Sequence, residues 1–154
     1  MFVDADTTIT PDLLRASIDA LQRGAVGGGA LPVLDKDVKG AAAVTVRGWH
    51  WLSLKFNWAC GAYLFCRRDA FMDVGGFDER YYCSEEIHLS GALKRWGRKR
   101  NAPMVILPQT LTTSARKMDW YGPWFILGQF LRLLVPGAMR QRRNCELWYE
   151  RPEK

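Results

Sequence analysis

Apolar and polar positions follow one another in short blocks along this chain, and the blocks change period. Phe2-Val3 opens as an apolar strand and gives way at once to Asp4-Ala5-Asp6-Thr7. Thr10 can cap a helix, Pro11 suits its first position, and Asp12 suits the positive end of its dipole. Leu14, Ile18 and Leu21 then recur at helical spacing as one buried stripe, and Gly24 stops the helix. Ala25 to Leu31 reads as a short strand running into a flexible turn, with Gly27-Gly28-Gly29 marking a bend or a close backbone approach rather than a phosphate cradle.

After a polar connection from Asp35 to Gly40, the stretch from Ala41 to Trp58 predicts a helix. Trp49, Leu52 and Phe56 lie on one face of it, and Trp51, Leu54 and Trp58 on a second. His50 between two tryptophans reads as a packing residue, since a metal cluster needs more than the one other histidine, His88. Gly61 to Cys66 is an aromatic-rich buried strand ended by Arg67-Arg68. Next come Phe71 and the paired glycines of Val74-Gly75-Gly76-Phe77-Asp78-Glu79, where side chains would obstruct a turn or a ligand. Ser84 can cap a further helix with Glu85 and Glu86 in its first turn and Leu89, Ala92, Leu93 and Trp96 as its stripe, ending at Gly97. Met104 to Leu107 is a last short strand before Pro108.

Composition narrows the class. A chain of 154 residues, 48% apolar and 25% charged, is one globular domain able to bury a core unaided. Its 22 Lys and Arg against 16 Asp and Glu give a net charge of +6, which favours an anionic partner. Cys60, Cys66, Cys83 and Cys145 form no C-x-x-C pair and no signal peptide precedes them. They read as reduced thiols of a cytoplasmic chain, not as a zinc site or a disulfide framework.

Candidate chemistry begins at the first strand. Residues two apart in a strand point to one side, so Asp4 and Asp6 can converge on a hard cation, Mg²⁺ or Mn²⁺, shared with substrate phosphates. The plain alternative is a polar turn closing the strand. The order of motifs favours the cation. An apolar strand into Asp-x-Asp-Thr, a Thr-Pro-capped helix, a Gly-Ala-Tyr-Leu-Phe strand, Gly75-Gly76-Phe77-Asp78-Glu79 and then Ser84-Glu85-Glu86 together resemble the family 2 glycosyltransferases of the GT-A fold. Thr112-Thr113-Ser114-Ala115-Arg116-Lys117 also looks like that family's small bacterial members.

The resemblance covers about residues 2 to 118 and implies an α/β fold, a partial GT-A mixed sheet flanked by helices. It implies a metal-dependent enzyme that transfers a sugar from a nucleotide-sugar donor to an acceptor hydroxyl with inversion. Asp4 and Asp6 would be the metal ligands. Gly75, Gly76, Phe77 and Asp78 would belong to the donor and acceptor site. Glu86, beside Glu85, would fall on the base position, where the family usually carries Glu-Asp. The family also carries an N-terminal βαβ half that binds the nucleoside and that this chain lacks. The chain therefore enters the fold at what would be a central strand, and as a truncated piece it is expected to transfer sugar poorly and to self-associate, as a homodimer for example.

Residues 119–154 form a second region, an apolar, amphipathic helix and a basic tail. Trp120 to Val135 falls short of the ~20 residues needed to span a bilayer. With its tryptophans and the flanking Arg140, Arg142 and Arg143 it suits either the inner face of the membrane, and so a lipid-linked acceptor, or a core or dimer contact. The competing function is a non-catalytic basic module holding anionic lipid or nucleic acid. Nucleic acid is the weaker of these, because the cations from Lys94 to Arg100 are expected at a helix C-terminus in any case.

Overall fold

The computed structural model describes residues 1–116, 120–133, 135, 137–145 and 149, the side chains of 123, 130 and 133 excepted. Five strands form one mixed sheet: β1 (Phe2–Val3), β2 (Thr7–Thr8), β3 (Gly27–Leu34), β4 (Tyr63–Cys66) and β5 (Met104–Thr113). Their order is β1-β4-β3-β5-β2, with β3 and β5 parallel and the other pairs antiparallel. The helices are α1 (Pro11–Gln22), α2 (Gly40–Phe56), α3 (Arg68–Asp73), α4 (Glu85–Arg98) and α5 (Pro123–Leu133), followed by 3-10 turns at Ala138–Arg140 and Arg142–Asn144. The expected α/β class, a mixed sheet flanked by helices, is what the chain forms. The expected boundary at residue 118, and Lys117 with it, lies outside the described residues.

Alternation along β4 divides the core. Tyr63 and Phe65 face α1 together with Leu13, Ala20 and Leu111, while Leu64 packs on the other side with Leu89 and Leu93 of α4 and Ala70 of α3. Tyr63, Leu64 and Phe65 are fully buried, and each such side chain contributes roughly 1.5–3 kcal/mol. Phe2 of β1 joins the second layer. Its ring lies 4.9 Å from Phe77 and 5.2 Å from Phe71, which fastens the edge strand to the loop after α3.

Several local expectations are revised. On α1 Thr10 caps as expected, accepting from the Leu13 N–H, but the buried stripe is Leu13, Ser17 and Ala20, with Leu14 and Ile18 exposed. Ser17 is drawn inward by a 2.7 Å hydrogen bond with the Tyr63 hydroxyl and a 2.8 Å bond to the Leu13 carbonyl. The glycine triplet is no flexible turn but the close backbone approach expected of it: it forms the buried start of β3, where a Cβ at Gly27 or Gly28 would collide with a neighbouring strand's carbonyl. Helix α3 answers no predicted element. Gly75 and Gly76, at φ +85° and +71°, close it by donating to the Met72 and Phe71 carbonyls.

Ser84 is not a side-chain cap. It sits at φ +57° with no capping bond, and Gly97 lies inside α4 rather than at its end. β5 runs through Pro108 because the ladder skips there: Ala30 faces Leu107 and Leu31 faces Thr110, leaving Pro108 and Gln109 as a bulge. Phe2-Val3 is an edge strand paired only with β4, not a central one. Helix α5 starts at Pro123, later than expected.

Two of the four cysteines expected to be free are joined. Cys83 and Cys145 form a disulfide, with Cα atoms 6.0 Å apart, across 62 residues; Cys60 and Cys66 remain thiols. The fold supplies this pairing by laying the segment after α5 beside the start of α4, which no short sequence spacing could signal.

The centre of the sheet tolerates no side chain at Gly28. A Cβ there would fall on the Val105 carbonyl oxygen and within 2.6 Å of the Phe65 ring. Gly28→Ala is accordingly expected to lower stability by about 1–3 kcal/mol. Urea unfolding followed by circular dichroism measures this, with Gly48→Ala, which meets nothing within 4 Å, as the control.

Candidate functional site

β1 ends at Val3, and the chain turns immediately, the Thr7 N–H donating to the Asp4 carbonyl at 3.1 Å. Asp4 and Asp6 thus lie in one turn and not on successive same-side positions of a strand, so the alternation argument does not hold for them. The Asp4 N–H donates to the Ala62 carbonyl, fixing the turn against the residues before β4. Asp6 forms an ion pair with Arg116 at 3.2 Å. Arg116 is itself placed by the end of β5, where Thr113 bonds Thr7 and Asp35 accepts from the Ala115 N–H.

A cavity of about 1000 Å³ lies beside this turn. Asp4 lines it, and so do Glu85 and Glu86 from the first turn of α4, with Gly61 and Ala62 between. Trp49 and Leu52 of α2, Trp58, and Leu127 of α5 supply apolar walls. Segments some eighty residues apart are brought together because β1 pairs with β4 and the Asp4 N–H bonds Ala62, while α4 packs over β4 through Leu89 and Leu93.

Glu86 is the unusual group. Its carboxyl is pushed up to about 7, chiefly because the surrounding protein strips it of water, with the carboxylates of Glu85 and Asp4 adding repulsion. Its own backbone N–H, at the start of α4, opposes the rise. A Cβ on Gly61 would stand 3.6–3.8 Å from the Glu86 carboxyl group, so the glycine leaves that side of the acid open. Cys60, also on the cavity wall, is pushed up to about 11 by burial and stays a protonated thiol near neutral pH.

Of the other expected site residues, Phe77 reaches the cavity wall. Gly75 and Gly76 instead form the end of α3, and the Asp78 carboxylate grips Arg80 through bonds of 2.8 and 2.7 Å, which holds its pKa down to about 2. His50 is the packing residue expected, with Nε2 2.8 Å from the Pro32 carbonyl. In the basic run, Arg100 stacks over Trp96, 4.0 Å from its ring centroid, and Lys94 donates to the Phe56 carbonyl. Those cations serve local contacts. Sequence reasoning missed that α2 and α5 wall the cavity; their signals were the two-faced pattern of α2 and the apolar run from Trp120 to Val135.

Among the described residues no cluster of three or more histidine, cysteine or acidic side chains could by itself enclose a metal ion. Of the two aspartates of the turn, Asp4 lines the cavity, whereas Asp6 is not among its lining residues and is paired with Arg116. No family model, no curated protein and no solved structure matches this chain.

A raised acid makes stability depend on pH in a definite sense. The native state holds the Glu86 proton up to about pH 7, whereas an unfolded glutamate loses it near 4.5. Between those values the native state binds more protons, so this group's contribution is full below about 4.5 and is lost as pH rises through 7. Glu86→Gln is expected to remove that decline, gaining on the order of 1–3 kcal/mol relative to the parent at pH 8. Chemical unfolding at pH 5 and pH 8 tests it.

Proposed function

We propose that this chain is part of an inverting glycosyltransferase of family 2, GT-A type, with Glu86 as the base and the Asp4–Asp6 turn as the place of a divalent cation. The reading is carried by one observation: Asp4 and the Glu85–Glu86 pair, far apart in sequence, line the same cavity. The motif order that resembles the family supplies the rest.

In this reading an acceptor hydroxyl enters the cavity beside Glu86. Its oxygen attacks the sugar's anomeric carbon, the bond from that carbon to the diphosphate oxygen breaks, and the diphosphate leaves with the electron pair. The hydroxyl proton passes to the Glu86 carboxylate. A base with a pKa near 7 is matched to this task, since it is half ionised at neutral pH and a competent acceptor when ionised. The apolar walls around it exclude water that would compete for the donor. A Mg²⁺ or Mn²⁺ ion held by Asp4 and Asp6 would supply positive charge against the departing diphosphate. Arg116, bound to Asp6, keeps that carboxylate oriented and neutralised until a cation competes for it.

Two measurements test this. Calorimetric titration of the chain with uridine and guanosine diphosphates should show binding that requires Mn²⁺ and that Asp4→Ala or Asp6→Ala removes. Binding indifferent to the metal would overturn the assignment. In sugar-transfer assays on the chain joined to a nucleoside-binding N-terminal half, Glu86→Gln should cut kcat by about 10²–10⁴-fold with nucleotide affinity nearly unchanged, and the parent rate should rise with pH through about 7. An equal loss from Glu85→Gln would move the base to that residue.

A further inference from the structure

Helices α2 and α5 pack on one another, and each exposes several large apolar side chains. On α2, Val44, Trp51 and Leu54 are exposed, at spacings of seven and three, with Trp51 at 56%. On α5, Trp124 and Leu131 repeat the spacing of seven, with Trp124 at 76%. The two stripes converge. Val44 and Leu131 are both more than half exposed and both line the cavity that holds Glu86, so the cavity opens between the stripes.

Charge on this pair of helices has one sign. α2 carries Arg47 and Lys55 and α5 carries Arg132, and neither helix contains an Asp or Glu. Lys55 sits over the Trp51 ring at 4.5 Å, an arrangement that keeps its ammonium at the border of the apolar stripe. Of the two acids in the connection before α2, Asp35 is turned away to the Ala115 N–H, and Asp37 is exposed three residues before the helix begins. A second copy of this face would set like charges against one another. A neutral protein groove would leave the cations without partners. An anionic lipid surface satisfies both parts, taking the tryptophans and leucines at the headgroup boundary and the cations among the phosphates. Among the described residues no helix is long and apolar enough to cross a membrane, so the contact is a surface one.

We infer that the outer stripes of α2 and α5 seat this protein on an anionic lipid surface beside the mouth of the Glu86 cavity, whose acids, Asp4, Glu85 and Glu86, line the cavity and are not on the stripes. An acceptor with an apolar body would then reach the cavity from the membrane without crossing water. That consequence rests on the transfer reading; the docking itself does not.

The test is cosedimentation with vesicles. The chain should bind vesicles of phosphatidylcholine with about a third phosphatidylglycerol at least ~10-fold more tightly than pure phosphatidylcholine vesicles. Trp51→Glu with Trp124→Glu should abolish binding to both. Arg47→Glu, Lys55→Glu and Arg132→Glu combined should lower the anionic binding on the order of 10²-fold. Leu14→Glu with Ile18→Glu, exposed apolar positions on α1, should leave it unchanged. All these positions are on the surface, and circular dichroism verifies the fold. Failure of the parent to sediment, equal loss from the α1 pair, or a dimer dispersed by the tryptophan variants in the absence of vesicle binding would each overturn the proposal. None of these readouts involves sugar transfer, so the docking can fail while the catalytic reading stands, and the reverse.

Discussion

Everything in this fold is arranged around the closeness with which β3 lies against its two neighbours. Gly27, Gly28 and Gly29 face Cys66, Phe65 and Leu64 on one side and Met104, Val105 and Ile106 on the other. Without Cβ atoms at these positions, the large rings of Tyr63 and Phe65 can fill the layer beneath α1 while the antiparallel and parallel ladders share one strand. The same device recurs at Gly97, where a Cβ would collide with the Ala102 carbonyl and press on Val26. It brings α4 close to the sheet. Since α4 carries Glu85 and Glu86 at its first turn, glycines remote from the cavity determine where its acids stand.

Much of this was legible in the chain because it depends on local order. The Thr10 cap, the break at Gly75-Gly76, the Tyr63–Cys66 strand and the acidic opening of α4 are each written within a few neighbouring residues. What escaped depends on partners distant in sequence. Ser17 outranks Ile18 for the interior only because Tyr63 waits there with a hydroxyl. Pro108 fails to end β5 because it bulges out with Gln109 opposite the Ala30–Leu31 step of β3, and the ladder resumes beyond them. The Cys83–Cys145 link exists through the return of the chain after α5. For the site, residue types were readable and their arrangement was not. Asp4 and Asp6 sit in one turn for a different reason than strand alternation, and Asp78 belongs to Arg80 rather than to the cavity.

The cavity concentrates negative charge where water is scarce. Glu85 and Asp4 repel the charged form of Glu86 there, and with burial they leave it half protonated at neutral pH. Arg116 neutralises Asp6, which is not among the residues lining the cavity. A site of this kind draws cations inward, and a positive charge arriving near Asp4 would ease the ionisation of Glu86 through the same field that now resists it. Acidity of the base and occupancy of the turn are then two readings of one electrostatic balance.

Gly61 gives that balance an adjustable setting. The space above it holds no atom closer than ordinary contact with the Glu86 carboxyl group, and its φ is not one that demands glycine. A methyl group there would fit without moving the helix or the turn, and would add hydrocarbon beside the acid. The working pH of the carboxyl could therefore be retuned through residue 61 alone, while the framework that positions it stays as it is. Geometry and acidity are separate variables in this site, held by different residues, and one can drift while the other is kept.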